Sequence, residues 1–182
     1  MARRSIEGFF VVLVLAVIAT IGAGRLWPDP IDGVYARAAA LARMSGDSGA
    51  IDFPLLLRRA TPNQALVCPE RLCQKAKSDV LAPVFPVPAD ELLKRVQRVV
   101  ESEPNSDTLK CAADCGLSAR YVEYSPLFRF PDIIDVEVVS AGAKASTLAI
   151  YSRSVFGYWD FAVNKTRVDR WLAALKRITP SS

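Results

Sequence analysis

Between residues 117 and 156 the side chains alternate with a period of two, and no other feature of the chain limits its fold as tightly. The stretch "IIDVEVVS" sets Ile134, Val136 and Val138 on one side of a strand and Asp135 and Glu137 on the other. Such alternation is the mark of a strand with two unlike faces. Before it, "LSARYVEYSPLF" is rich in aromatic and branched residues and reads as a strand; after it, "AGAK" reads as a turn. "STLAIYSRSVF" is then the next strand, with Leu148 and Ile150 facing opposite to Tyr151 and Arg153. Adjacent strands joined by short links form an antiparallel meander.

Helices flank this block. From Pro88 to Ser102, Leu92, Val96, Val99 and Val100 repeat at helical spacing, with Asp90 and Glu91 in the first turn. Val168, Trp171, Leu172 and Leu175 form an i, i+3, i+4, i+7 stripe on a last helix. Residues 47–87 carry Pro54, Pro62, Pro69, Pro83 and Pro86 and are expected to be irregular, with "VLAPVFPV" as a short edge strand. "EPNSD" breaks the chain after the first of these helices. The expected fold class is α+β: an antiparallel β-meander with helices packed on one face, preceded by an N-terminal transmembrane helix.

That N-terminal expectation rests on "GFFVVLVLAVIATIGAG", seventeen uncharged residues from Gly8 to Gly24. As a helix it reaches roughly 26 Å, near the lower limit for a bilayer. Arg3 and Arg4 precede it and Trp27 follows, so the flanking charge places the N-terminus inside and residues 25–182 outside. A cleaved signal peptide finds only an imperfect site in "TIGAGR", and Glu7 before the apolar run fits a twin-arginine signal poorly. The organisation read from the chain is a signal anchor over 1–27, a juxtamembrane helix over 28–50 and a globular α+β domain over 51–182. Asp29, Pro30 and Gly46 punctuate the juxtamembrane helix, and Ile31, Val34, Tyr35, Ala38, Leu41 and Ala42 line one face of it. The expected location is a single-pass inner-membrane protein with its C-terminal domain in the periplasm, bound to the bilayer through residues 8–24.

Cysteine usage suits that compartment. Cys68 and Cys73 lie in "LVCPERLC", and Cys111 and Cys115 in "LKCAADCG". An even count outside the inner membrane reads as two disulfides, with local pairs favoured over the two cross-pairings. A four-thiolate zinc site would prefer tighter spacing, and the redox motif C-x-x-C is absent, so no metal is expected. The 182 residues contain no histidine, which removes Ser-His-Asp and Cys-His nucleophiles and H-E-x-x-H hydrolases. Neither a dinucleotide-binding nor a P-loop signature occurs, and no cofactor is expected. The net charge of +4 is spread along the chain without a basic stripe, so nucleic acid is not implied.

Polar residues crowd the junction "AIYSRSVFGYWDFAVNKTRVDRWLAAL". Gly157 permits a turn, Asp160 or Asn164 can cap the last helix, and Trp159 or Phe161 can cover the end of the core. Arg153 shares a sheet face with Asp135 and Glu137 if the strands pair in register, which makes a charge pair there the plainer reading. As a binding site, the junction offers Arg153, Tyr158, Asp160, Asn164 and Arg167, with the two arginines holding an anionic group. No catalytic residue is assigned.

"LFRFPDIIDVEV" and "STLAIYSRSVFGYWDFAVNKTRVDRWLAAL" resemble the family called domain of unknown function 1499, in a proteobacterial, membrane-anchored branch. The matching elements are Phe130-Pro131-Asp132, Ser152 to Ser154, and Ala162-Val163-Asn164, with Pro62 to Pro69 similar to the branch. The resemblance spans roughly residues 52–177. Trp159 stands where the family often has Ser, and Ala162 where it often has Gly. The family carries no established activity, so the resemblance implies a fold and a location.

Three functions follow as expectations. The first is a non-enzymatic, membrane-anchored module that binds a small ligand or a membrane-protein partner. The second is a structural subunit of a membrane assembly. The third, least favoured, is an enzyme using Asp132, Asp135 or Glu137 as acid or base.

Overall fold

In the computed structural model, residues 51–109, 116–126 and 129–179 are described. The segments expected to form the anchor (1–27) and the juxtamembrane helix (28–50) lie outside the described residues, as do Cys111 and Cys115. Among the described residues, no helix is long and apolar enough to cross a membrane.

Six strands form one sheet: β1 (Gln64–Cys68), β2 (Val80–Leu81), β3 (Ser106–Leu109), β4 (Ser118–Tyr124), β5 (Pro131–Gly142) and β6 (Ala145–Ser154). Two helices accompany them, α1 (Ala89–Glu101) and α2 (Val163–Ile178). The spatial order is β2-β1-β6-β5-β4-β3. β4 to β6 are the antiparallel meander that the alternation predicts, with Ile134 opposite Ser152 and Tyr121 opposite Ile134. The β5–β6 hairpin shifts register between Ser140 and Gly142, where Gly142 takes a positive φ of 146°.

Three departures from the sequence reading have separate local causes. β1 lies in the stretch expected to be irregular, yet it pairs antiparallel with β6 and parallel with β2, so the sheet is mixed rather than purely antiparallel. β3 occupies the expected break and extends the sheet as an edge. β4 stops at Tyr124 because Ser125 turns the chain, its carbonyl accepting from Arg129 N at 3.0 Å. All five β1 residues are buried, since both faces of that strand are covered. A strand whose two buried faces are both largely apolar shows no alternation, and a short edge strand has too few residues to show one.

Leu92, Val96, Val99 and Val100 of α1 and Val168, Trp171, Leu172 and Leu175 of α2 pack on Ala65, Val67, Tyr121, Ile134, Val136, Val138, Leu148 and Ile150. Both helices therefore cover one face, and Tyr121 meets Trp171 edge-on at 5.9 Å. The other face is closed without an α-helix, by a short 3-10 turn over Phe53–Leu55 and the chain around it. Phe53, Leu56 and Ala76 pack there on Leu66, Cys68, Ala149 and Tyr151. A disulfide joins Cys68 to Cys73 beside this second core, as local pairing predicts.

Candidate functional site

Pairing register brings four polar residues together on the helix face, at the end of the sheet where β4 and β6 finish and β5 begins. Glu123 stands opposite Asp132, Asp132 opposite Ser154, and Ile134 opposite Ser152. α2 lays Asn164 and Arg167 over them. Arg167 is 1% exposed; its Nη1 donates to Ser152 Oγ at 2.9 Å and Asn164 Oδ1 at 2.7 Å, and its Nη2 donates to Asp132 Oδ2 at 2.6 Å. Its Nε lies 3.0 Å from Glu123 Oε2, close enough for an ion pair but not aligned as a hydrogen bond. A buried guanidinium is stable only when its charge and its donors are met, and two carboxylates meet this one.

Asn164 extends the network to the loop that precedes α2. Its Oδ1 accepts from Ser152 Oγ at 2.6 Å, and its Nδ2 donates to Asp160 Oδ2 at 2.8 Å, Ser154 Oγ at 3.0 Å and Asn63 O at 3.2 Å. Asn63 Nδ2 in turn donates to Gly157 O at 2.6 Å. Asp160 caps the helix, accepting from Ala162 N at 3.1 Å and Asn164 N at 3.0 Å. Of the two caps the sequence offers, Asp160 serves, and Asn164 points inward instead.

The loop so held is unusual in two ways. Phe161 and Ala162 both adopt left-handed backbone, with φ of 52° and 63°, next to Gly157 at 84°. Side chains with a Cβ are disfavoured there by roughly 1–2 kcal/mol each. The rings of the loop also face outward: Phe161 is 93% exposed, Trp159 68% and Tyr158 56%. Neither Trp159 nor Phe161 covers the end of the core, which corrects the sequence reading. Tyr158 and Trp159 pack edge-on at 5.2 Å, and Phe156 meets Phe130 at 6.3 Å, so these rings pair with one another.

The five residues singled out by sequence are thus divided. Asp160, Asn164 and Arg167 join one network, and Tyr158 stands in the exposed loop. Arg153 lies on the opposite face of the sheet, where it pairs with Asp135 Oδ2 at 2.5 Å and sits 5.1 Å from the Tyr151 ring centre. Asp135 Oδ1 also accepts from Arg120 Nε at 2.6 Å. The shared face of Arg153 and Asp135 is as the alternation predicts. Arg153 and Arg167 do not converge on one anion, because the sheet separates them.

Of the carboxylates considered for catalysis, Asp132 and Asp135 each bind arginine. Burial, with the charge of Asp52 beside it, pushes the Glu137 carboxyl above the usual range. Among the described residues no group of three or more acidic or cysteine side chains is placed to hold a metal ion. Sequence reasoning missed Asn63, Glu123, Ser152 and Ser154 as parts of the network. The alternation of β6 sets Ser152 and Ser154 on one face, but Asn63 falls in the stretch expected to be irregular, and only the register joins the four.

The geometry defines a class: a helix-backed sheet whose buried arginine network is hydrogen-bonded to an aromatic loop. The family described as protein of unknown function (DUF1499) matches residues 57–175, and the chain belongs to that family. Among solved structures, the chain is similar to protein CV1439 from Chromobacterium violaceum, at 10% identity and a TM-score of 0.37, over 66% of this chain and all of that one. No curated protein matches.

Proposed function

We propose that this chain is a non-enzymatic binding module, anchored in the inner membrane through residues 8–24, with its α+β domain in the periplasm. The observation that carries the binding role is the loop 155–162. A network of buried hydrogen bonds and ion pairs holds it in disfavoured backbone, and the product of that arrangement is a set of outward rings. Backbone held against its own preference is a cost that folding alone gives no reason to retain. Aromatic rings are also the side chains most often found at the centre of interfaces. In this reading Arg167, Asn164 and Asp160 are positioning residues, and Tyr158, Trp159, Phe161 and Phe156 make the contact.

The anchor is supported by the uncharged run and its flanking arginines, and the periplasmic side by the charge asymmetry and the Cys68–Cys73 disulfide. The carboxylate alternative has less support, since Asp132 and Asp135 are engaged by arginines. A photo-crosslinking residue placed at Phe161 in the full chain, in intact membranes, tests the binding role. The same residue at Lys94, exposed on α1, is the control. Products at position 161 well above those at 94 are expected; equal yields overturn the reading.

A further inference from the structure

We infer that the occupant of the loop 155–162 is the interfacial layer of the bilayer itself, an inference that rests on the anchored-module reading above. Three observations support a lipid surface. The exposed set is Phe156, Tyr158, Trp159 and Phe161, a mixture of apolar rings and rings with one polar edge. Such rings settle at the level of the headgroups, where each can keep its body dry and its edge wet. The loop's single charge is also disposed of. Asp160 turns its carboxylate back onto Ala162 N, Asn164 N and Asn164 Nδ2, so three protein donors already replace part of its hydration before the rings enter. Finally, the loop is already ordered by Asn63, Asn164 and its own left-handed backbone, so docking costs little conformational freedom.

Chain length adds proximity. From Gly24 to Ile51 even a fully extended chain spans less than about 100 Å, so an anchored domain meets its own bilayer continuously. The loop residues 155–162 include no lysine or arginine, so ring insertion rather than headgroup charge holds the contact. Docking is therefore expected to persist at high salt and in vesicles without anionic lipid.

The test uses the full chain in vesicles of zwitterionic lipid, with and without bromine on the upper acyl carbons. Trp27→Phe removes the tryptophan beside the expected anchor. Trp171 is fully buried, so Trp159 reports the loop. The expected result is loss of most of the Trp159 emission in brominated vesicles. A companion carrying Trp27→Phe and Trp159→Phe should lose almost none. A protein that floats with the vesicles but is quenched equally in both variants overturns the docking and leaves the anchor standing. Failure to float overturns both. Crosslinks from position 161 to a protein, without bromine quenching, overturn the lipid in favour of a protein partner.

Discussion

The sheet carries a buried arginine cluster on each face, and they do different work. On the face away from the helices Asp135 is shared by Arg120 and Arg153, and all three sit on adjacent strands β4, β5 and β6. That cluster ties strand to strand, and it fixes register because a one-residue slip would move each partner to the other face. On the helix face Arg167 reaches from α2 to Asp132 of β5, Glu123 of β4 and Ser152 of β6. It ties layer to layer. Through Asn164 and Asp160 it also sets where the chain must stand before α2 begins, and so where the aromatic loop points. A buried ion pair within a sheet therefore specifies pairing, while one between layers specifies the placement of whatever precedes the helix.

Substitutions separate these roles. Arg167→Met leaves Asp132 buried without its guanidinium and should destabilise by about 3–5 kcal/mol, read from the urea midpoint of the full chain. A loss below about 1 kcal/mol would mean that the layer clamp adds little. Asp135→Asn keeps one acceptor oxygen but removes the carboxylate charge that Arg120 and Arg153 share; a loss of about 2 kcal/mol is expected. The loop should keep its protection from chymotrypsin in that variant, because its ties run through the other face. Asp160→Ala removes the cap of α2, which should cost about 1–2 kcal/mol and open Tyr158, Trp159 and Phe161 to chymotrypsin. Resistance equal to that of the parent chain would sink the claim that the network rigidifies the loop.

Smaller effects run the other way. Ala162→Gly relieves roughly 1–2 kcal/mol of left-handed backbone against an entropy cost of roughly 0.5–1, so a gain of about 0.5–1 kcal/mol is expected. Glu137 supplies the pH dependence. Its folded-state carboxyl holds its proton to higher pH than in the unfolded chain, chiefly through burial. Its contribution is therefore full below the usual glutamate range and is lost as pH rises through the raised value. Glu137→Gln should flatten that slope and raise stability at neutral pH by less than about 0.5 kcal/mol, because solvent screens a partly exposed group. Parallel stability–pH curves for the two chains would contradict this.

Legibility along the chain follows how unlike in polarity the two faces of each element are. β4, β5 and β6 alternate because their two faces meet different surroundings, and both helices show their stripes. β1 is buried on both faces and reads as loop beside its prolines. At the loop, apolar character suggested burial for Trp159 and Phe161, whereas the backbone turns both outward. The family's common glycine at position 162 was the one local hint of left-handed backbone, and Ala162 adopts it at φ 63°.

The sequence by itself determined the meander, the two helices, the faces of the alternating residues in β5 and β6 and the family, because each depends on neighbours within a few positions. Only the tertiary structure decided that Arg153 and Arg167 stand on opposite sides of the sheet and that Asn63 and Asn164 meet across the chain. It also decided that the aromatic residues of the junction face outward. Those outcomes depend on pairing register and on the docking of α2 against the sheet. Both are set by the whole core, and neither leaves a period in the chain.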